Sequence, residues 1–211
     1  MTYSYLLPLI PFLIYRRRGM ISSVIISYSI IFFLVLMFIN NSVSGQGKRI
    51  FNVFYTLLEF SFFTYIVLQN IKSKRLKRAI YISFLPLLAS QIVYLNSALF
   101  FDTIPIGIET ILLFVYIFFF FYEYFRNVYT EYVYNHYCFW VSIGIMLYLG
   151  GSFFFYILGN EIRETEIEKY WYLTFIIEIV KNVLFAIAVN VDIRRSKQKN
   201  PNQNLPYLDF S

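Results

Sequence analysis

The stretch Ile104–Tyr122, IPIGIETILLFVYIFFFFY, is a run of 19 residues in which Glu109 is the only charged side chain. A helix of this length rises about 28 Å at 1.5 Å per residue, close to the roughly 30 Å of hydrocarbon in a bilayer. A strand of a membrane barrel has about 10 residues, in which apolar and polar side chains alternate. This run is longer and shows no such alternation. The stretch therefore predicts a transmembrane helix.

Six further apolar stretches, separated by short polar connections, account for nearly all the rest of the chain. Of its 211 residues, 59% are hydrophobic and 14% are charged, whereas soluble domains have about 25% charged residues. A soluble fold of this size could not hide so much apolar surface, so most of the chain must lie in lipid. We predict an all-α polytopic transmembrane bundle, a single domain over residues 1–193, with spans at about 2–15, 20–39, 51–69, 79–100, 104–122, 137–158 and 170–191.

The two ends of the chain differ from the middle. The first stretch has about 14 residues, contains Pro8 and Pro11, and is followed by Arg16–Arg18, so it is shorter than the ~20 residues of a usual span. A secretory signal carries its positive charge before the apolar core, so this order favours a short first helix with a cytoplasmic stop. The bundle therefore has seven helices, or six if the first does not span. The polar tail, residues 194–211, is expected to be disordered.

Lysine and arginine are distributed unevenly between the two sides of this arrangement. With the Arg16–Arg18 connection in the cytoplasm, 13 of the 18 lie on the cytoplasmic side, 4 lie outside, and Lys181 falls within a span. Such a bias sets orientation in bacterial membranes. It predicts an N-terminus outside and a C-terminus in the cytoplasm, in the inner membrane of a bacterium. If the first helix does not span, the N-terminus moves inside and the other six spans keep their orientation.

The charge and the rare residue types exclude several classes of function. The net charge of +6 does not indicate a nucleic-acid partner, because the sequence predicts no basic domain outside the membrane. Cys138 is the only cysteine and His136 the only histidine, which excludes an internal disulfide, a thiolate cluster and a multi-histidine zinc site. No set of acid, base and nucleophile can be assembled from the sequence. We therefore expect no catalytic residue, no metal, no cofactor and no enzymatic activity.

Polar side chains inside the spans form the candidate site. Placing a charged side chain at mid-bilayer costs at least about 2.5 kcal/mol on insertion scales, so each such residue is expected to have a structural or functional role. The third, fifth and seventh spans run in the same direction, which brings their carboxylates to the outer half of the membrane or near its midplane. We predict an outward-facing polar pocket with Lys181 at its floor, formed by Glu59, Gln91, Asn96, Glu109, Glu178, Lys181 and Asn182.

An alternative interpretation needs no ligand. The same residues could be polar contacts that hold the helices together. In that case Glu178 and Lys181, three residues apart on one helix, form a pair that neutralises itself.

Two segments carry a resemblance to a known group of proteins. The first is FWVSIG at 139–144, continuing through Tyr148 to Gly150, and the second is IVKNVLFAIA at 179–188. They resemble small, uncharacterised multi-pass membrane proteins of Bacteroidota, which look like the membrane portion of a sensor kinase without the kinase. The resemblance implies a role in signalling and transfers no catalytic residue. Since this chain has no kinase domain, signal output would need a partner such as a sensor kinase.

Three functions fit these features. The first is a sensor or signalling-accessory protein whose basic cytoplasmic connections contact anionic lipid or a partner. The second is a retinal-type photoreceptor or pump, in which Lys181 forms a Schiff base and Glu59 is its counter-ion, although the sixth span lacks a tryptophan and a proline near its middle. The third is a small transporter, for which no inverted repeat is visible and only Pro86 indicates a broken helix.

Overall fold

The computed structural model describes residues 2–15, 20–42, 46–96, 103–127, 132–159 and 164–199. Within these ranges the chain is helical almost throughout and contains no strand. Two short 3-10 turns, Thr2–Leu6 and Val133–Asn135, accompany the α-helices. The α-helices are α1 (Leu9–Tyr15), α2 (Met20–Ser42), α3 (Gln46–Leu68), α4 (Lys74–Ile82), α5 (Phe84–Leu95), α6 (Thr103–Asn127), α7 (Tyr137–Gly159) and α8 (Glu164–Lys199).

Five segments are long and apolar enough to cross a membrane, which confirms the predicted class of an all-α bundle with several such helices. Four of them lie in α3, α6, α7 and α8, and the fifth is formed by α4 and α5 together. Two shorter apolar segments, Tyr3–Tyr15 and Ser22–Met37, precede them. Each of the seven predicted stretches thus corresponds to a helical segment.

The fourth of these segments is broken near its start. α4 ends at Ile82 and α5 begins at Phe84, with Ser83 between them. Pro86 lies in the first turn of α5, where its missing N–H removes the usual partner of the Ile82 carbonyl. The Ser83 hydroxyl donates to the Ile80 carbonyl at 2.7 Å and also bonds to the hydroxyl of Tyr116 on α6. The break therefore falls before the proline, and a neighbouring helix holds it in place.

Several helices extend beyond the predicted spans. α4 begins at Lys74, α6 continues to Asn127, and α8 runs from Glu164 to Lys199. Residues 194–199, which the sequence assigned to a disordered tail, continue α8, while residues 97–100 and 200–211 lie outside the described ranges. Hydropathy marks only the part of a helix that is in lipid, and lysine, arginine, glutamate and glutamine continue a helix well in water.

The first apolar stretch does not run the length of the bundle. Asn182 Nδ2 donates to Ser4 Oγ at 2.9 Å, and the Ser22 backbone N–H donates to Asp192 at 3.0 Å. The two contact points on α8 are ten residues apart, which is about 15 Å along the helix axis. That is half of a hydrocarbon core of roughly 30 Å. Between Ser4 and Ser22 the chain therefore advances along α8 by only about half of the length of a span.

Two carboxylates fasten the starts of α2 and α4 to other helices. Glu123 of α6 accepts hydrogen bonds from the backbone N–H groups of Lys72 and Ser73, at 2.7 and 3.1 Å. Asp192 of α8 accepts from both the N–H and the hydroxyl of Ser22, each at 3.0 Å. The first N–H groups of a helix have no partner within it, and a negative charge is favourable there. Glu123 therefore holds the two residues that precede α4, and Asp192 holds the first turn of α2.

The distribution of buried and exposed side chains is the one expected in lipid. Large apolar side chains cover the outside, with Leu85 65% and Phe118 58% exposed. Charged groups in the middle of the apolar helices lie inside, with Lys181 0% and Glu59 3% exposed. Because lipid is as apolar as leucine, close packing and polar contacts associate such helices, and apolar burial alone does not.

Glycines permit the close approach of α7 and α8, which make the most extensive contact between described helices. A Cβ atom at Gly144 would lie 3.2 Å from the Phe185 ring, and one at Gly151 would overlap the side chain of Ile177. By contrast, a Cβ at Gly107 of α6 would lie 3.6 Å from Phe153, an ordinary contact distance.

We expect Gly151→Ala to destabilise the bundle by about 1–3 kcal/mol, because the added methyl forces α7 and α8 apart or displaces the stiff Ile177 side chain. Gly107→Ala is the matched control and should be neutral or stabilising by up to about 1 kcal/mol, since alanine favours the helix. Unfolding of both variants in detergent measures the difference. Equal stabilities would show that the α7–α8 packing is not tight at Gly151.

Candidate functional site

Lys181 and Glu59 form an ion pair in the middle of the bundle. The Lys181 ammonium nitrogen lies 3.3 Å from Glu59 Oε1, and the side chains are 0% and 4% exposed. Lys181 belongs to α8 and Glu59 to α3, so the pair joins two helices across 122 residues of sequence. Each charge is far from water, and each is neutralised by the other.

Two tyrosine hydroxyls complete the hydrogen bonding of this pair. Tyr28 of α2 donates to Glu59 Oε1 at 2.9 Å and accepts from Lys181 at 2.8 Å. Tyr148 of α7 donates to Glu59 Oε2 at 3.1 Å. Both carboxylate oxygens therefore accept charge-assisted bonds, which are about twice as strong as neutral ones. The network connects α2, α3, α7 and α8.

Aromatic rings surround the ammonium group. Its nitrogen lies 3.9 Å from the centre of the Tyr148 ring, a cation–π distance. The rings of Tyr5, Tyr28 and Phe63 follow at 5.1, 5.4 and 5.8 Å. Since an ammonium has three N–H donors, the bonds to Tyr28 and Glu59 and the face of Tyr148 account for all three.

A second set of contacts joins this network to the start of the chain. The hydroxyls of Tyr5 and Tyr55 lie 3.2 Å apart, and Tyr55 also bonds to Tyr148. Tyr5 hydrogen-bonds to Glu178, and its ring stacks on Phe32 with 6.0 Å between centres. The turn at Thr2–Leu6 is thereby packed against the ion-pair network.

The structure brings together four of the seven predicted site residues. Glu59, Glu178, Lys181 and Asn182 are each no more than 3% exposed and lie within one cluster. The other three lie elsewhere. Gln91 and Glu109 are buried on α5 and α6, which pack on each other, and none of the described bonds connects them to Lys181. Asn96 is exposed and bonds to the Ile92 carbonyl of its own helix.

The alternative in which Lys181 pairs with Glu178 is wrong in its choice of partner. The described ion pair of Lys181 is with Glu59, and Glu178 acts on Lys181 only from a greater distance. A spacing of three residues permits a pair on one helix, but Glu59 on α3 approaches Lys181 more closely.

Sequence reasoning missed the hydroxyl groups of the site. Tyr28, Tyr148, Tyr5 and Tyr55 bind the charged groups or one another, and Ser4 binds Asn182. A signal was present for Tyr28, which lies well inside an apolar helix, away from the headgroup region where membrane tyrosines are enriched.

No protein-family model matches the chain, and no curated protein or solved structure shows significant similarity to it. The fold and the site therefore have to define the class of protein. They define an all-α multi-pass bundle of membrane-capable helices with an ion pair buried between four of them.

Lys181→Met should destabilise the protein more than Glu59→Gln. The first change leaves Glu59 without its ammonium partner, whereas after the second the Lys181 ammonium still has the Glu178 side chain nearby. Breaking a buried pair by removing one partner costs about 3–5 kcal/mol. The double variant should lose less than the sum of the single losses, as unfolding titrations of all three would measure. Asn96→Ala is the control and should have little effect, and additive losses would contradict a coupled pair.

Proposed function

We propose that this chain is a non-enzymatic integral membrane protein that acts as a sensor or a signalling accessory. The observation that supports this most is the buried Lys181–Glu59 pair, whose bonds join four helices. In a membrane, burying such a pair and breaking it both cost free energy. The helices are therefore expected to adopt two discrete arrangements, with the pair made or broken, and not a continuous range. Elements with two discrete arrangements are the ones that switching proteins use to couple distant sites.

The bonding within the cluster favours a switching role over catalysis. Glu59 accepts from Lys181 and Tyr28 at one oxygen and from Tyr148 at the other. A general base or a nucleophile has to face a substrate, whereas these groups face one another. A signal would act by changing which of these bonds are made.

The basic helix α4 supports an output on one side of the membrane. Lys72, Lys74, Arg75 and Arg78 are all exposed at or near its start, where the two bonds to Glu123 hold the backbone. In the proposed orientation these residues face the cytoplasm of a bacterium. Exposed cations next to a membrane attract anionic headgroups or an acidic partner. With the resemblance to sensor-kinase membrane portions, this favours membrane lipid and a sensor kinase as partners.

The retinal-type alternative has one feature in its favour, because Glu59 stands next to Lys181 as a counter-ion would. A chromophore attached to Lys181 would also need space around the nitrogen. Four aromatic rings have their centres within 5.8 Å of that atom. The transporter alternative has no such specific observation. The sensor or accessory role is therefore the one that we propose.

Native mass spectrometry of the protein, extracted from its own membrane in mild detergent, tests this function. We expect the wild type to carry a bound protein or small molecule. The double variant Glu59→Gln/Lys181→Met should lose that mass, because the network that sets the helix arrangement is gone. Asn96→Ala should retain it. A bare wild-type chain, or equal binding in the double variant, would contradict the proposal.

Cysteine labelling tests the proposed orientation. The single native cysteine, Cys138, is buried and is replaced by serine. Lys74 and Asn96, both exposed, lie at opposite ends of the segment formed by α4 and α5. A membrane-impermeant maleimide added to intact cells should label Asn96→Cys, and it should label Lys74→Cys only after permeabilisation. The reverse pattern would place the C-terminus outside.

A further inference from the structure

Two buried oxygen atoms on α8 accept no hydrogen bond from the described part of the chain. They are Glu178 Oε1 and Asn182 Oδ1, and their residues are 2% and 0% exposed. The residues are four apart, so their side chains are neighbours on one helix face. Buried polar atoms without a partner are rare, because each costs about 1–3 kcal/mol.

Both side chains also bond to residues at the start of the chain. Asn182 Nδ2 donates to Ser4 Oγ at 2.9 Å, and Glu178 bonds to the Tyr5 hydroxyl. Glu178 Oε1 and Asn182 Oδ1 are both acceptors, so neither can satisfy the other. Because the two side chains are neighbours on one helix face, a proton on Glu178 Oε1 would provide the donor that both oxygens lack.

The charges of the cluster also leave room for one positive charge. It holds two carboxylates, Glu59 and Glu178, and a single ammonium, Lys181, whose bonds go to Glu59 and Tyr28. The hydroxyls of Tyr5, Tyr28 and Tyr55 are also near enough to interact with Glu178, and a phenol supplies no positive charge. An ionised carboxylate in this position would therefore lack a close partner, which is strongly unfavourable in hydrocarbon.

We propose that Glu178 and Asn182 form a proton-binding site, in which Glu178 holds a proton on Oε1 and donates it to Asn182 Oδ1. This deepens the sensing role proposed above and rests on it, with the proton as the species that is sensed. Loss of the proton leaves a carboxylate facing the amide oxygen of Asn182, and the two repel each other. Ser4 and Tyr5 bind the same two side chains, so the Thr2–Leu6 turn is the element that responds.

Infrared spectroscopy of the purified protein in lipid tests the site directly. A protonated carboxyl group has a C=O stretching band that a carboxylate lacks. We expect Glu178→Gln to remove one such component. Glu109→Gln is the matched control, since Glu109 is a carboxyl group with the same 2% exposure, and it should leave that component in place.

A second variant protects the test against loss of folding. Asn182→Leu removes the acceptor and keeps Glu178, so the component should persist and move to higher wavenumber, because its hydrogen bond is lost. A wild-type spectrum with no component that depends on Glu178 would overturn the proposal. It would mean that Glu178 is ionised and accepts a hydrogen bond from the amide N–H of Asn182, with that amide group rotated by 180°.

The infrared result does not depend on any partner. If the infrared spectrum contains the C=O band of Glu178 and mass spectrometry finds the chain without a bound molecule, the proton site is retained and the accessory role is overturned. If mass spectrometry finds a bound partner and the infrared spectrum lacks the Glu178 band, the accessory role is retained and the proton site is overturned.

Discussion

The ion pair between Lys181 and Glu59 is the interaction on which the rest of the bundle depends. A lysine fully enclosed in a membrane bundle is tolerable only if each of its three N–H groups has an acceptor and its charge is neutralised. Glu59 supplies the negative charge, and the Tyr28 hydroxyl accepts a hydrogen bond from Lys181. Tyr148 places its ring face against the ammonium and donates a hydrogen bond to the Glu59 carboxylate. These groups come from α2, α3, α7 and α8, so the position of each helix is constrained by the same few atoms.

The middle and the end of the bundle use carboxylates in different ways. At the middle, Glu59 meets an ammonium group across the helix interface. At the end, Glu123 and Asp192 meet the backbone N–H groups that begin α4 and α2. A helix start offers a partial positive charge that needs no lysine or arginine. Near the start of α4 the basic side chains are exposed, while Glu123 binds the backbone.

The sequence predicted the helices well and the contacts between them poorly. Hydropathy and length depend on each stretch alone, which is why all seven stretches were found. The charges at Glu59 and Lys181 were also visible, because a charge inside an apolar run is conspicuous. Their pairing was not visible, since sequence spacing reports neighbours on one helix and Glu178 is the nearer residue along the chain. Gln91, Asn96 and Glu109 were grouped with them by depth alone, and depth does not say on which side of a helix a residue lies.

The attachment of the first residues to α8 has a consequence for the order of assembly. Ser4 is bound to Asn182, 178 residues later, and Ser22 to Asp192, 170 residues later. Chains are synthesised from the N-terminus at about 5–20 residues per second. The opening segment must therefore wait about 10–40 s, through the insertion of every other helix, before its binding partners exist. The Thr2–Leu6 turn is thus made long before its partners on α8 and is among the last segments to pack into the bundle.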